Sequence, residues 1–263
     1  EEDGFLGITR VGGIDPRVVV SKWVMVGDDR IPGVIGAPPI HLQEQEDLSR
    51  VLRFDKLFID IGAKDQKEAE SLAPLGSYAV FDTPYMEFGD GFVAAKALDD
   101  RVGCFNLLKL LEGEYDCDLI CVFVTQEEVG LRGSHTAAYS LGAEIAVVLE
   151  GTAANDLGDV EERFHVCTPG KGVCVSFMDR ASIADRELFK TMLKLSKEQG
   201  IPAQVKRGVT GGNDAASFQL SGRGARTVVL SVPCRYIHSA NNVAKMSDIR
   251  AQADLVRAFL KSL

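Results

Sequence analysis

The sequence predicts an α/β fold: a mostly parallel sheet domain with helices on both faces, joined to a small β-rich domain. Three observations carry this. From about Phe92 onward, long apolar strand patterns alternate with helical patterns, the signature of a sheet built through crossover helices. Before that point the texture is different, with short β-branched stretches separated by Gly, Pro and Asp clusters. The 263 residues, 46% of them hydrophobic, are enough for one large core or two smaller ones.

The elements follow in order. Within residues 1–92, ITRV, RVVVSKWVMV, GVIG and KLFIDIG read as strands, and KDQKEAESLAPLG reads as a short helix closed by Pro74 and Gly76. Residues 93–263 form the larger domain. There DRVGCFNLLKLLE is a helix, DLICVFVTQ a strand, GSHTAAYSLG a helix and EIAVVLEG a strand. A long amphipathic helix over 184–199 places Leu188, Met192 and Leu195 at helical spacing. The strand ARTVVLSVP leads to a terminal helix capped at Ser247, with Ile249, Leu255, Val256, Phe259 and Leu260 as its packed face. A sheet that begins this late in the chain is expected to lack some of its N-terminal strands.

Composition excludes several classes of function. The net charge of -9, with no dense Lys/Arg run, repels a phosphate backbone and argues against nucleic acid as a partner. No segment approaches the ~20 apolar residues of a membrane helix, and EEDGFLGITR has neither a basic n-region nor an apolar h-region. The chain reads as soluble and not exported. Its six cysteines lie inside apolar runs without a CxxC pair, which fits a reducing cytoplasm.

In open α/β sheets, reactive groups collect beyond the carboxyl ends of the strands. Four chemically loaded segments fall at such ends: Ala97–Arg101 with its Asp99-Asp100 pair, Gln126-Glu127-Glu128, Leu149-Glu150-Gly151, and Arg235-Tyr236-Ile237-His238-Ser239. Taken singly, Asp-Asp before a helix reads as a cap, Glu150 as a surface strand end, and His238 as a hydrogen-bonded loop histidine. Together they are hard to explain as independent caps. Carboxylates with one imidazole make a donor set suited to zinc, cobalt or manganese rather than to an all-oxygen calcium cage. If Glu127 and Glu128 continue an extended strand, the pleat turns them to opposite sides, so that one binds a cation while the other takes a proton from water. A divalent ion lowers the pKa of such a water from about 15.7 toward about 7.

The motifs AKALDDRVG, FVTQEEVGLRGS, GGNDAASF and VPCRYIHS, with the earlier VGGID and GVIGAPPIHL, resemble those of the tetrahedral (TET-type) dinuclear metalloaminopeptidases. That family includes glutamyl and deblocking aminopeptidases and relatives labelled as endoglucanases. The resemblance runs nearly end to end and in the family's order. It implies a zinc-exopeptidase-like catalytic domain, a small β domain that builds a homododecamer, peptide substrates, and a divalent metal cofactor, Zn or Co, with two ions in each full-length subunit.

Carried over by position, the resemblance implies that Asp99 bridges both metals, that Glu127 is the general base, and that Glu128 and His238 are ligands of one ion. Glu150 is the terminal carboxylate of the other, where many relatives have Asp. The Asp99-Asp100 peptide is expected to be cis. Gly211, Gly212 and Asp214 resemble a substrate-side loop, and Arg235 is a further substrate-binding candidate. His41 belongs to the β domain's motif, while His135 and His165 match nothing in the family pattern. Relatives carry a segment ahead of the position of residue 1, with the first catalytic strands and an imidazole that completes the Glu150 position. On this sequence alone, one well-held ion and one weak position are expected. The function implied is removal of N-terminal residues from peptides. The alternatives are a catalytically silent oligomer subunit or peptide-binding module, and glycoside hydrolysis by a carboxylate pair about 5–9.5 Å apart without a metal. Against the last stands the single tryptophan, Trp23, which lies in the β domain and offers no sugar platform.

Overall fold

Residues 2–44 and 50–263 are described by a computed structural model. One unit comprises the chain up to Tyr85 together with His238–Asn241; the other comprises Met86–Ile237 and Asn242–Leu263.

In the first unit, alternating burial along β2 (Trp23–Val26) and β3 (Ile31–Gly36) turns Val24, Val26 and Ile35 into a core. They pack with Leu57 and Ile59 from the segment leading through β4 (Phe58–Asp60). With β1 (Leu6–Gly7) and β5 (Ala79–Phe81), these strands form an antiparallel sheet of order β1-β4-β3-β2-β5. The expected helix is α1 (Gln66–Leu72), capped by Asp65, whose side chain accepts from the Glu68 amide at 2.8 Å. In this unit one strand expectation is not met and one shrinks. ITRV, residues 8–11, contributes no ladder residue, the strand being Leu6–Gly7 just before it, and RVVVSKWVMV is split because Asp15 accepts from the Arg17 amide and Pro16 starts a 3₁₀ turn over Pro16–Val18.

The second unit is built on a mixed sheet of seven strands: β6 (Met86–Phe88), β7 (Phe92–Ala95), β8 (Ile145–Ala153), β9 (Val173–Ser176), β10 (Ala203–Val205), β11 (Arg226–Arg235) and β12 (Asn242–Lys245). Their order is β10-β9-β11-β12-β7-β6, with β8 beside β11. The β8–β11 and β9–β10 ladders are parallel, and the other ladders are antiparallel. The α/β class expected from the sequence holds. Parallel pairing is confined to strands linked through helices, because tight turns such as Gly89–Gly91 between β6 and β7 force antiparallel neighbours. Pairing of β6 with β7 also places residues 86–92 in this unit, whereas the sequence reading put them in the first.

Helices α2 (Leu98–Leu111), α4 (Arg186–Gln199) and α6 (Met246–Leu260) cover β8, β9 and β11 through Leu110, Met192, Leu195, Leu255 and Phe259. The short α5 (Ala215–Leu220) packs on β11 and β8 and against α3 (Arg132–Leu141). α6 buries every residue of its expected face, but its cap is Lys245 rather than Ser247. Ser247 sits inside the first turn, and the neighbouring Asp248 turns away to accept the Gly170 and Gly172 amides at 2.6 and 2.9 Å.

One strand expectation fails. DLICVFVTQ, at 118–126, forms no ladder with any described residue. Residues of this run and of β8 line a cleft of about 830 Å³, and among the described residues β8 pairs with β11 alone. The six cysteines are free thiols, and no helix among the described residues is long and apolar enough to cross a membrane.

Candidate metal centre

The cleft beside β8 ends in a group of carboxylates. Asp99 and Asp100 open α2, but their backbone is not helical (φ -87°, ψ 108° and φ -118°, ψ 55°), and the peptide between them is cis. Leu98, buried just before them, is pinned by its amide, which donates to the Asn242 side chain at 2.9 Å. The Asp99 carboxylate accepts from the Gly151 amide at 3.2 Å, while Asp100 accepts from Gly103 at 3.0 Å. Gly151 is required by proximity: a Cβ there would lie 2.9 Å from the Cβ of Asp99.

Glu150 reaches the same place from β8, where the ladder sets it opposite Ser231. Its own carbonyl accepts from the buried Gln252 at 3.1 Å. Asp99, Asp100 and Glu150 each offer an oxygen within 4.8 Å of the others, so a single cation fits between them. The position of Asp100 is new relative to the sequence reading, which assigned it no role. That both acids of the pair reach one site is seen in the mutual distances of their oxygens and that of Glu150.

Glu127 and Glu128 lie in a 3₁₀ turn, Glu127–Val129, entered through Gln126 with φ 61°. The pleat argument for their division is therefore replaced by another. Successive side chains in a 3₁₀ turn diverge by about 120°, which leaves Glu127 half-buried and Glu128 exposed. Burial pushes the Glu127 carboxyl up to about 7, with Glu128, Asp214 and Asp99 adding repulsion. Burial also raises Asp100, helped by Asp99, and Glu150, helped by Asp100 and Asp99. Arg101 is the one Lys or Arg among the described residues lining this cleft, so its negative charge is largely uncompensated within the unit.

The remaining sequence candidates divide. Asp214 caps α5 and lines the cleft with Glu127. Gly211 and Gly212 lie outside that lining among the described residues and shape the loop instead. The Gly211 carbonyl accepts from the Arg180 amide at 2.9 Å, and a Cβ at Gly212 would lie 2.8 Å from that of Ala181. Arg235 is held by Asp156 through two hydrogen bonds of 2.9 and 2.6 Å, with its guanidinium 5.2 Å from the Phe92 ring. His238 is exposed, has φ 58°, and belongs to the 238–241 turn of the first unit, where its Nδ1 lies 3.4 Å from the place a Gly13 Cβ would take.

Residues 1–255 match the M42 glutamyl aminopeptidase family. The lysyl aminopeptidase of Pyrococcus furiosus is 28% identical over 100% of this chain and 77% of its own length. An aminopeptidase from the archaeon Desulfurococcus kamchatkensis superposes with a TM-score of 0.94 at 32% identity, covering 100% of this chain and 74% of that one. The TET1 peptidase of Pyrococcus horikoshii, described as assembling into a tetrahedron or a large octahedral shell, gives 0.84 at 32%, covering 100% and 78%.

Proposed function

The chain belongs to the M42 glutamyl aminopeptidase family, whose members are metal-dependent aminopeptidases, and on that premise we propose that the acidic end of the β8 cleft is where it hydrolyses the first peptide bond of its substrates. The observation that supports this most is the meeting of Asp99, Asp100 and Glu150 within reach of one ion, beside a half-buried Glu127 whose carboxyl is raised to about 7.

The residues fit a divalent metal. Three buried or half-buried carboxylates converge, and Glu127, Asp100 and Glu150 are raised first by burial and then by the negative charges beside them, which a cation would offset. In our reading Asp99, Glu128, His238 and Glu150, with Asp100 beside Glu150, would hold the metal. Zinc or cobalt suits a donor set of carboxylates and one imidazole. Such an ion supplies Lewis acidity, lowering the pKa of water and polarising the peptide carbonyl.

The protein's own part is positioning and proton transfer. Glu127, anchored by the 3₁₀ turn, takes a proton from the attacking water and returns it to the leaving amine, a role for which a pKa near the working pH is well matched. Gly211 and Gly212 shape the loop that presents Asp214, and Arg235, fixed by Asp156, contributes to substrate binding.

The substrates are peptides, and the chain works in the cytoplasm as a homododecamer. Assembly is supported by the exposed apolar side chains of the first unit, among them Trp23, Ile40, Leu42 and Tyr78, and by the assemblies described for the Pyrococcus horikoshii relative. The test is a panel of aminoacyl chromogenic substrates with and without added Zn or Co. Metal-dependent release that a chelator abolishes is expected. No release on any substrate, or hydrolysis of glycosides that survives the chelator, contradicts the proposal.

A further inference from the structure

We propose that Asp214 receives the α-ammonium group of the peptide substrate and so sets the requirement for a free N-terminus; this rests on the aminopeptidase reading above. One carboxylate oxygen of Asp214, Oδ1, is buried and meets no hydrogen-bond partner among the described residues. An unmatched buried acceptor costs about 1–3 kcal/mol, so an oxygen kept that way at a cleft points to a donor supplied by a ligand.

The location and chemistry fit. Asp214 lines the cleft with Glu127 and Glu150, close enough for its charge to raise the Glu127 carboxyl. Among the described residues it belongs to neither group whose ligand atoms lie within 4.8 Å of one another, which leaves it available for a different cation. Its neighbours on α3, the Ser134 hydroxyl and His135, favour the charged carboxylate, although burial raises it overall. An ammonium two bonds from the scissile carbonyl is the cationic donor that an aminopeptidase substrate brings to such a place.

The backbone on either side of Asp214 is also held in place. The preceding Asn213 donates to Asp179 at 2.7 Å and accepts from the Ala215 amide at 3.0 Å, while Asp179 accepts the Ala181 and Ser182 amides at 2.7 Å each. Ala215, Ala216 and Ser217 are buried behind it, and Ser217 receives a hydrogen bond from Ser134 at 2.8 Å. An acid on a fixed backbone presents its oxygen at a smaller ordering cost when the substrate arrives.

The experiment compares the zinc-loaded wild type with Asp214→Asn by calorimetry, using L-leucinol and its des-amino counterpart 4-methyl-1-pentanol, neither of which is hydrolysed. The wild type is expected to prefer leucinol by about 10- to 100-fold, the range of one charge-assisted hydrogen bond, and Asp214→Asn to lose that preference. On leucyl-p-nitroanilide the variant should show a raised KM with kcat falling less. Asp214→Ser replaces Asn if the latter's melting curve shows that it does not fold. An Asn or Ser variant that folds and keeps the full preference for leucinol overturns the proposal. A wild type that prefers leucinol yet releases nothing from any aminoacyl substrate refutes the aminopeptidase reading instead, so the two failures are distinguishable.

Discussion

Stripping divalent ions from the protein and raising the pH from 4.5 to 7 should destabilise it, and the structure gives both the sign and the size. The unfolded chain ionises Glu127 near 4.5, whereas the folded protein keeps the proton until about 7 because of burial and the nearby charges of Glu128, Asp214 and Asp99. Between those values the unfolded state binds fewer protons, so stability falls as pH rises, and the full cost is present above 7. At about 1.36 kcal/mol per pKa unit, the gap amounts to about 3 kcal/mol. Glu127 keeps part of its hydration, and discounting for solvent screening leaves roughly 1.5 kcal/mol. Asp100 and Glu150 shift in the same direction and add to it. For a chain of this size, 1.5 kcal/mol corresponds to a melting temperature lowered by roughly 3–6 °C. Thermal unfolding with a chelator at several pH values reads this directly, and saturating zinc should recover the loss, since ligand at 100 times Kd adds about 2.7 kcal/mol. A chelated protein whose melting temperature is flat or rises from pH 4.5 to 7 would refute the reasoning.

Glu127→Gln should lower kcat by about 10²- to 10⁴-fold while leaving bound metal unchanged, as steady-state rates and elemental analysis would show; an active variant removes Glu127 from proton transfer. Gly151→Ala places a Cβ 2.9 Å from that of Asp99, displaces the carboxylate and should weaken zinc binding about 10-fold in competition with a chromogenic chelator. Asp156→Asn removes the charge and one of the two acceptor oxygens that the Arg235 guanidinium meets, setting an NH2 group against it. With the Asp156 side chain only 5% exposed, the expected loss is about 2–3 kcal/mol by denaturant unfolding.

The sequence shows most of the helices and the two longest strands, β8 and β11, because their periodicity and apolar runs are local, whereas the short β7, β9, β10 and β12 are not read from it. The apolar faces of α4 and α6 are legible in this way. What it conceals is non-local. The run 118–126 has strand composition, but a ladder also needs a partner at hydrogen-bonding distance, and among the described residues β8 pairs with β11 alone. RVVVSKWVMV is rich in β-branched residues, yet Asp15 and Pro16 turn its start into a 3₁₀ element. At the site, strand-end acids point to Asp99, Glu127 and Glu150. Asp100 escapes because residues adjacent in sequence normally point apart, whereas here both carboxylates of the pair reach Glu150. The unpaired oxygen of Asp214 leaves no trace in the sequence, since it depends on burial alone.

The account turns on a cation held where Asp99 meets its neighbours from distant parts of the chain. Anomalous diffraction at the zinc edge, from crystals grown with zinc, tests this most directly. A peak about 2.0–2.2 Å from an Asp99 oxygen, with Glu128 and His238 or Glu150 completing its shell, is the predicted result. Zinc bound only elsewhere, with no density between these side chains, would contradict it.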